Sequence, residues 1–581
     1  MPFMKVPFTV IGLVFVMSME LMPLDASPLF PSNLPAGDWI RFNAAGFTHQ
    51  VCGVVYQSSD QVTNGMALGG LDTGCLDFES TGLLGYCTLF NTHVPRRGPL
   101  NTPALGICVG ERTWVLCKNQ PKKPDGFTSH LVEAPPAELH LEGVGLAKNI
   151  RYWGHYPVLD VEFETDAPVS VGLRAWSSFF PGDTTASMLP AIIFETHLRN
   201  ITSERQKGSL AFSFPGPLAL EAGSETFTRE ETRGDYNGIL VRANLGSYAL
   251  GVLQNETARF GGELGIEGAR WANISKALPE SASNHSGTSV AVDFTIDPSQ
   301  EQTVRFVLTW CFPTWKGADK FEDGGYNWTA SAEHIFTHMY AKHYPDPFET
   351  GRELARHHES LLRRILAWQE VLYTEESLPE WLRDSLINIL YMVTEDGFWA
   401  QKKPPVPDWV REEDGLFGLC ECPRGCPQIE CIPCSFYGSL PLTYFFPELQ
   451  LSTIRGYMGY MADTKGNPPW TFGPRTELCK PALNSLYQAA TNGISLAGIV
   501  DRFLLARDTP DKALTREFYP KIKDCMTWTA GLRTTSSYTI GQRLISMPDI
   551  DGHVTGLEWF EKRFDKYDLA CSVGHQAGRR I

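Results

Sequence analysis

The hydrophobic period of this 581-residue chain changes once, near residue 330, and that change limits the fold more than any other feature. Before it, short segments alternate apolar and polar residues. They are "YPVLDVEFET" (156–165), "VSVGLRAWSSF" (169–179), "GSLAFSFPG" (208–216), "GILVRANL" (238–245), "SVAVDFTID" (289–297) and "QTVRFVLTWCFP" (302–313). Gly, Pro, Asn and Ser punctuate them, so the pattern predicts many short antiparallel strands in a sandwich or barrel. After it, apolar residues recur at helical spacing. In 352–373 one face collects Leu354, Leu361, Leu362, Ile365, Leu366 and Val371. In 379–395 it collects Leu382, Leu386, Ile387 and Leu390, with Pro379 suited to a first turn. Further helices are expected over 447–462, 484–508 and 514–532.

The chain is too long for one core. The expected divisions are a leader over 1–27, a β domain over 40–315, a linker with connecting helices over 316–370, and a helical domain over 371–581. The leader reading rests on one Lys, an apolar run and small residues near Ala26 and Ser27. It places the protein in a secretory pathway or periplasm. Asn-x-Ser/Thr triplets at Asn200, Asn255, Asn273, Asn284 and Asn327 permit glycosylation there. A net charge of −16 with no basic stripe argues against nucleic acid as a partner.

The stretch "GLFGLCECPRGCPQIECIPCSFYGS" (415–439) holds five cysteines and two glutamates in a loop-like setting before an apolar helix. Cys420, Cys422, Cys426, Cys431 and Cys434 are spaced C-x-C-x₃-C-x₄-C-x₂-C. Four thiolates could hold a structural zinc ion, two disulfides could staple the segment, or the thiols could be reduced and buried.

One further stretch is distinctive: "NGMALGGLDTGCLDFESTGLLGYCTLFN" (64–91). It resembles the opening of the N-terminal domain of glycoside hydrolase family 116, which includes the non-lysosomal glucosylceramidases, also called bile-acid β-glucosidases. "FVLTWCFP" (306–313), "LPEWLRDSLINILY" (378–391), "FYGSLPLTYFFPELQLSTIRGYM" (436–458) and "DIDGHVTGLEWFE" (549–561) continue the resemblance in the family's order. The resemblance implies an N-terminal antiparallel β-sandwich packed on an (α/α)₆ barrel, with the active site at the barrel end facing the sandwich. About 210 residues follow residue 370. A twelve-helix barrel takes roughly 350. The expectation is therefore a partial barrel: a gene-model fragment, a chain completed by a partner, or an inactive one.

The resemblance also implies a retaining β-glycosidase, with no redox cofactor and no catalytic metal. Such enzymes use two carboxyl groups, one attacking the sugar and one protonating the leaving oxygen. The family's nucleophile is a Glu shortly before an "FYxS" helix start, which matches Glu421, fifteen residues before Phe436. Its acid/base is an Asp before a Trp, after an Asp-x-Asp-Gly turn. Here the turn is Asp549–Gly552 and the position before Trp559 is Glu558, one methylene longer. Glu430 and Glu561 are the local alternatives. Tyr437, Trp470 and Trp559 are candidates to line a sugar subsite, each weighed against an ordinary core role. The substrate expected is a carbohydrate or a glycolipid, the latter implying peripheral proximity to a membrane. Rival readings are a non-catalytic carbohydrate-binding scaffold and a zinc module built on the cysteines.

Overall fold

A computed structural model of the chain describes residues 28–531, apart from 36, 61, 91–96, 125–135, 256, 317–318, 321–325, 328–334, 423–425, 462–465, 475–478, 480–488 and 508–510. The leader expected over 1–27 lies outside the described residues, as do Glu558, Trp559 and Glu561.

All six alternating segments are strands, within two residues of the ends expected for most of them: Val158–Glu164, Val169–Ser177, Gln206–Phe214, Tyr236–Arg242, Thr288–Ile296 and Glu301–Cys311. They fall into two large sheets. A nine-stranded sheet runs antiparallel throughout, with Glu301–Cys311 and Ala191–Asn200 adjacent near its centre. A six-stranded sheet is built around Gln206–Phe214 and Thr288–Ile296. Val161, Leu173, Phe194 and Phe306 of the first share one apolar core with Ile107, Phe212 and Val292 of the second. Period-two alternation places these side chains on one face of each sheet, where burial is worth ~1.5–3 kcal/mol per large side chain.

The other face of the nine-stranded sheet is also covered. The helix Pro347–Tyr373 lays Leu354, Leu362, Ile365 and Leu366 against Trp176, Ile193, Leu240 and Val307. Asp346 caps it, accepting from the N–H groups of Phe348 (2.8 Å) and Glu349 (3.4 Å), and Pro347 follows at the first turn. Val371, expected on this buried face, is 69% exposed, because at 100° per residue it points away from the stripe, while Gln369 and Tyr373 of the same last turn are buried. Beside the helix, Leu29, Phe42 and Val51 close over Trp153. Polar positions under these covers are paired: Arg174 binds Asp160 bidentately (2.7 and 2.6 Å), and Arg199 binds Glu162 (2.6 Å). The Asn200 side chain is likewise buried and donates to the carbonyls of Glu204 and Ile296, so its amide is already engaged.

Helices follow as expected at Pro447–Tyr460, Ala489–Leu505 and Lys512–Gly531, around a separate core of Ile454, Tyr457, Leu496, Val500 and Phe518. The helical half also contains a sheet that periodicity did not announce. Its strands are Gly397–Ala400, Leu416–Cys422, Cys426–Ile429 and Gly473–Pro474. The stretch 415–439, expected to be loop-like, thus holds a β-hairpin of Leu416–Cys422 and Cys426–Ile429 and then the helix Ile432–Gly438. "LFGLC" is apolar at every position and, apart from half-buried Leu419, is buried, so it has no alternation to read. No helix among the described residues is long and apolar enough to cross a membrane.

Candidate active site

The hairpin brings the candidate residues of 420–431 onto defined backbone positions. Glu421 lies on the strand Leu416–Cys422, not in a loop. Cys420 faces Ile429 and Cys422 faces Cys426, so the register shifts by one residue at Glu421. Such bulges are over-represented beside active sites. On its other side the strand pairs with Gly397–Ala400, Phe417 opposite Trp399 and Leu419 opposite Gly397.

Glu430 ends the hairpin at φ +56°, a left-handed conformation that a non-glycine residue adopts only when its surroundings hold it. Here they do. Its N–H donates to the Leu419 carbonyl (2.9 Å). Its carboxylate accepts from the Leu419 N–H (2.8 Å), the Ser435 hydroxyl (2.5 Å) and the Tyr457 phenol (3.1 Å). The residue is 1% exposed. Burial pushes its carboxyl above the usual range, and these three donors pull it back. Glu430, the alternative catalytic carboxylate, is thus buried and held by three donors of the fold. Every donor around it is structural, and it ties the Glu421 strand to the helices Ile432–Gly438 and Pro447–Tyr460.

Trp470 is half-buried beside the same hairpin. Its indole N–H donates to the Cys431 sulfur (3.1 Å), and its carbonyl accepts from Ile432 (2.9 Å). Tyr437 is on the helix Ile432–Gly438, and its side chain, like those of Glu421, Cys422 and Cys426, is outside the described set. Cys420 and Cys431 are buried and Cys434 is exposed. Among the described residues no three His, Cys, Asp or Glu side chains converge as a metal site requires.

The span that holds the six-stranded sheet, all but one edge strand of the nine-stranded sheet, the "GGLDTG" turn and most of the long helix also matches a known family. A family model described as beta-glucosidase 2, glycosyl-hydrolase family 116 N-term, covers residues 65–368, more than half of the chain. The chain belongs to glycoside hydrolase family 116. Among solved structures, this family 116 chain is similar to a bacterial glucoamylase complexed with acarbose, at 10% identity and TM-score 0.40, over 89% of this chain and 65% of that one. It is also similar to the family GH92 α-mannosidase of Bacteroides thetaiotaomicron, at 12% identity and TM-score 0.28, over 82% and 56%. The chain spans less than two thirds of the length of either enzyme. Likeness at those scores assigns no residue a role.

The family 116 chain holds a second polar cluster at the opposite end of the Glu421 strand. Arg455 binds both oxygens of Asp414 (2.9 and 2.8 Å) and both of Glu517 (2.8 and 3.0 Å), and Arg411 joins Glu517 (2.8 Å). These groups line a cavity of about 300 Å³ with Trp409 at its edge. Five strand steps from Leu416 to Glu421 separate it from the nucleophile candidate by ~17 Å, so it is not the pocket in which Glu421 would act.

Sequence reading missed the bracing by Ser435 and Tyr457. Its only local signal was a Glu two residues before a proline-initiated helix turn.

Proposed function

We propose that this family 116 glycosidase is a retaining β-glycosidase acting on β-glucosides, its N-terminal sheets forming a β-sandwich against an (α/α)₆ barrel. Glu421 attacks the anomeric carbon and forms a glycosyl-enzyme ester. Glu558 protonates the departing oxygen, then takes a proton from the water that hydrolyses the ester. One observation supports Glu421 over its neighbour. Its strand is rigidly braced by the satisfied carboxylate of Glu430, and a nucleophile needs such a supported element. Export through a secretory route is proposed on the apolar run within residues 1–27.

The experiment is turnover of an aryl β-glucoside by the full chain and by Glu421→Gln. Loss by roughly 10³-fold or more is expected; full turnover in the variant would reject Glu421. Glu558→Gln should lose far more rate on substrates with poor leaving groups than on activated ones. The first-formed sugar, followed by NMR, should keep the β configuration. Release of the α anomer would mean inversion, with the two carboxyl groups ~6.5–9.5 Å apart.

A further inference from the structure

The turn "GGLDTG" (69–74) belongs to the N-terminal domain, yet its Asp72 side chain is inserted into the sheet that carries Glu421. Asp72 is fully buried. Its Oδ1 accepts from the backbone N–H of Trp399 (2.9 Å) and from Nδ1 of His338 (2.8 Å). Its Oδ2 accepts from the N–H groups of Met339 (2.7 Å) and Tyr340 (3.4 Å). All four donors come from the chain after residue 337.

The glycines explain how the turn reaches that far. Asp72 itself has φ +64° and Gly74 φ +75°. A Cβ on Gly70 would stand 2.6 Å from the Ser187 carbonyl, and one on Gly69 would stand 2.1 Å from that of Gly74. The turn is held from behind by Leu71 N–H on the Ser187 carbonyl (2.6 Å) and by the Trp310 indole on the Thr73 carbonyl (2.8 Å). It is therefore a fixed point of the β domain, not a mobile loop tip.

We propose that Asp72 is a positioning residue for the Glu421 strand, fixing the neighbouring strand Gly397–Ala400 to the N-terminal domain through the Trp399 N–H. This rests on the reading of Glu421 as nucleophile. The path is short: Asp72 holds Trp399, Trp399 pairs with Phe417, and Glu421 stands four residues further along that strand. Both oxygens act only as acceptors, which a carboxylate satisfies and an amide cannot. An asparagine would turn an NH₂ group toward one of the two donor pairs. Burial raises the Asp72 carboxyl, and the His338 contact and the backbone N–H groups of Trp399 and Tyr340 oppose this.

The test compares the full chain with Asp72→Asn, each assayed well below its unfolding temperature. The readouts are kcat and KM on an aryl β-glucoside, and the rate at which a 2-deoxy-2-fluoro-β-glucoside labels the protein, the labelled residue being located by mass spectrometry. A displaced nucleophile lowers kcat and the labelling rate together, by roughly 10- to 100-fold, with KM within about twofold. Labelling of Glu421 at an unchanged rate, with only the melting temperature reduced, would overturn the proposal and leave the nucleophile reading intact. Label on a residue other than Glu421 would overturn both. Should Asp72→Asn not fold, His338→Phe removes one of the four donors while keeping a ring against Trp315, and should lower the same two rates by a smaller factor. No change there would equally reject the proposal.

Discussion

The carboxylate of Glu430 and the phenol of Tyr457 meet at 3.1 Å in a joint closed to solvent, where the Glu421 hairpin ends and the helix Pro447–Tyr460 passes beneath it. Tyr457 also donates to the Glu430 carbonyl (3.2 Å). Glu430→Ala strands the Leu419 N–H and the Ser435 hydroxyl, while the Tyr457 phenol keeps the residue-430 carbonyl, and should cost about 2 kcal/mol or more in urea unfolding. Tyr457→Phe removes one donor and should cost about 1–2 kcal/mol. Were Glu430→Ala neutral, the brace assigned to it would be wrong.

Arg455 neutralises two carboxylates at once, so it should matter more than either partner. Arg455→Met leaves Asp414 and Glu517 facing each other in a half-buried cavity, at a cost of about 2 kcal/mol or more. Adding Asp414→Asn should recover part of the loss. Equal unfolding midpoints for the single and double variants would argue against this coupling.

Stability should fall in acid for a traceable reason. Burial alone would raise the carboxyls of Asp160 and Glu195. The guanidinium of Arg174 outweighs this at Asp160, and His197 with Arg305 does so at Glu195, holding each at about 2 against ordinary values of 3.8 and 4.5. Depressed carboxylates stabilise the fold above their unfolded pKa and lose that contribution as pH falls through the folded one. Each should contribute on the order of 2 kcal/mol that disappears between about pH 4.5 and 2. Urea midpoints across that window test it. Arg174→Met should remove the share of the acid slope that belongs to Asp160.

Asp384 has the opposite sign. Burial lifts its carboxyl from 3.8 to about 6, despite hydrogen bonds from Asn388 and Trp39. A raised carboxyl favours folding below pH 3.8 and loses that contribution as pH rises through 6. Asp384→Asn should therefore stabilise the protein at pH 7.5 by about 1–2 kcal/mol, and the gain should vanish near pH 4. A melting temperature lowered at pH 7.5 would contradict it.

Glycan mapping after secretory expression separates two of the Asn-x-Ser/Thr triplets. Asn284 is exposed, while Asn200 is buried with its amide donated to two carbonyls. Folded protein should carry glycan at Asn284 and none at Asn200. A glycan on Asn200 in correctly folded material would refute the buried placement.

Local pattern by itself determined the six strands, the long helix and their order, because periods of 2.0 and 3.6 follow from backbone geometry within a few residues. The resemblance to family 116, not local pattern, drew attention to the stretch 64–91 and to the acids at 421 and 430. Tertiary structure decided what those features are for. Alternation in "VLDVEFE" leaves open whether Asp160 and Glu162 meet water, and here a helix from 190 residues later and the 28–53 segment cover them with arginines already paired. The uniformly apolar "LFGLC" carried no period, so only its neighbours made it a strand. Asp72 and Trp399 are 327 residues apart. A hydrogen bond acts over about 3 Å of space and has no length along the chain, so nothing local in the sequence could place one against the other.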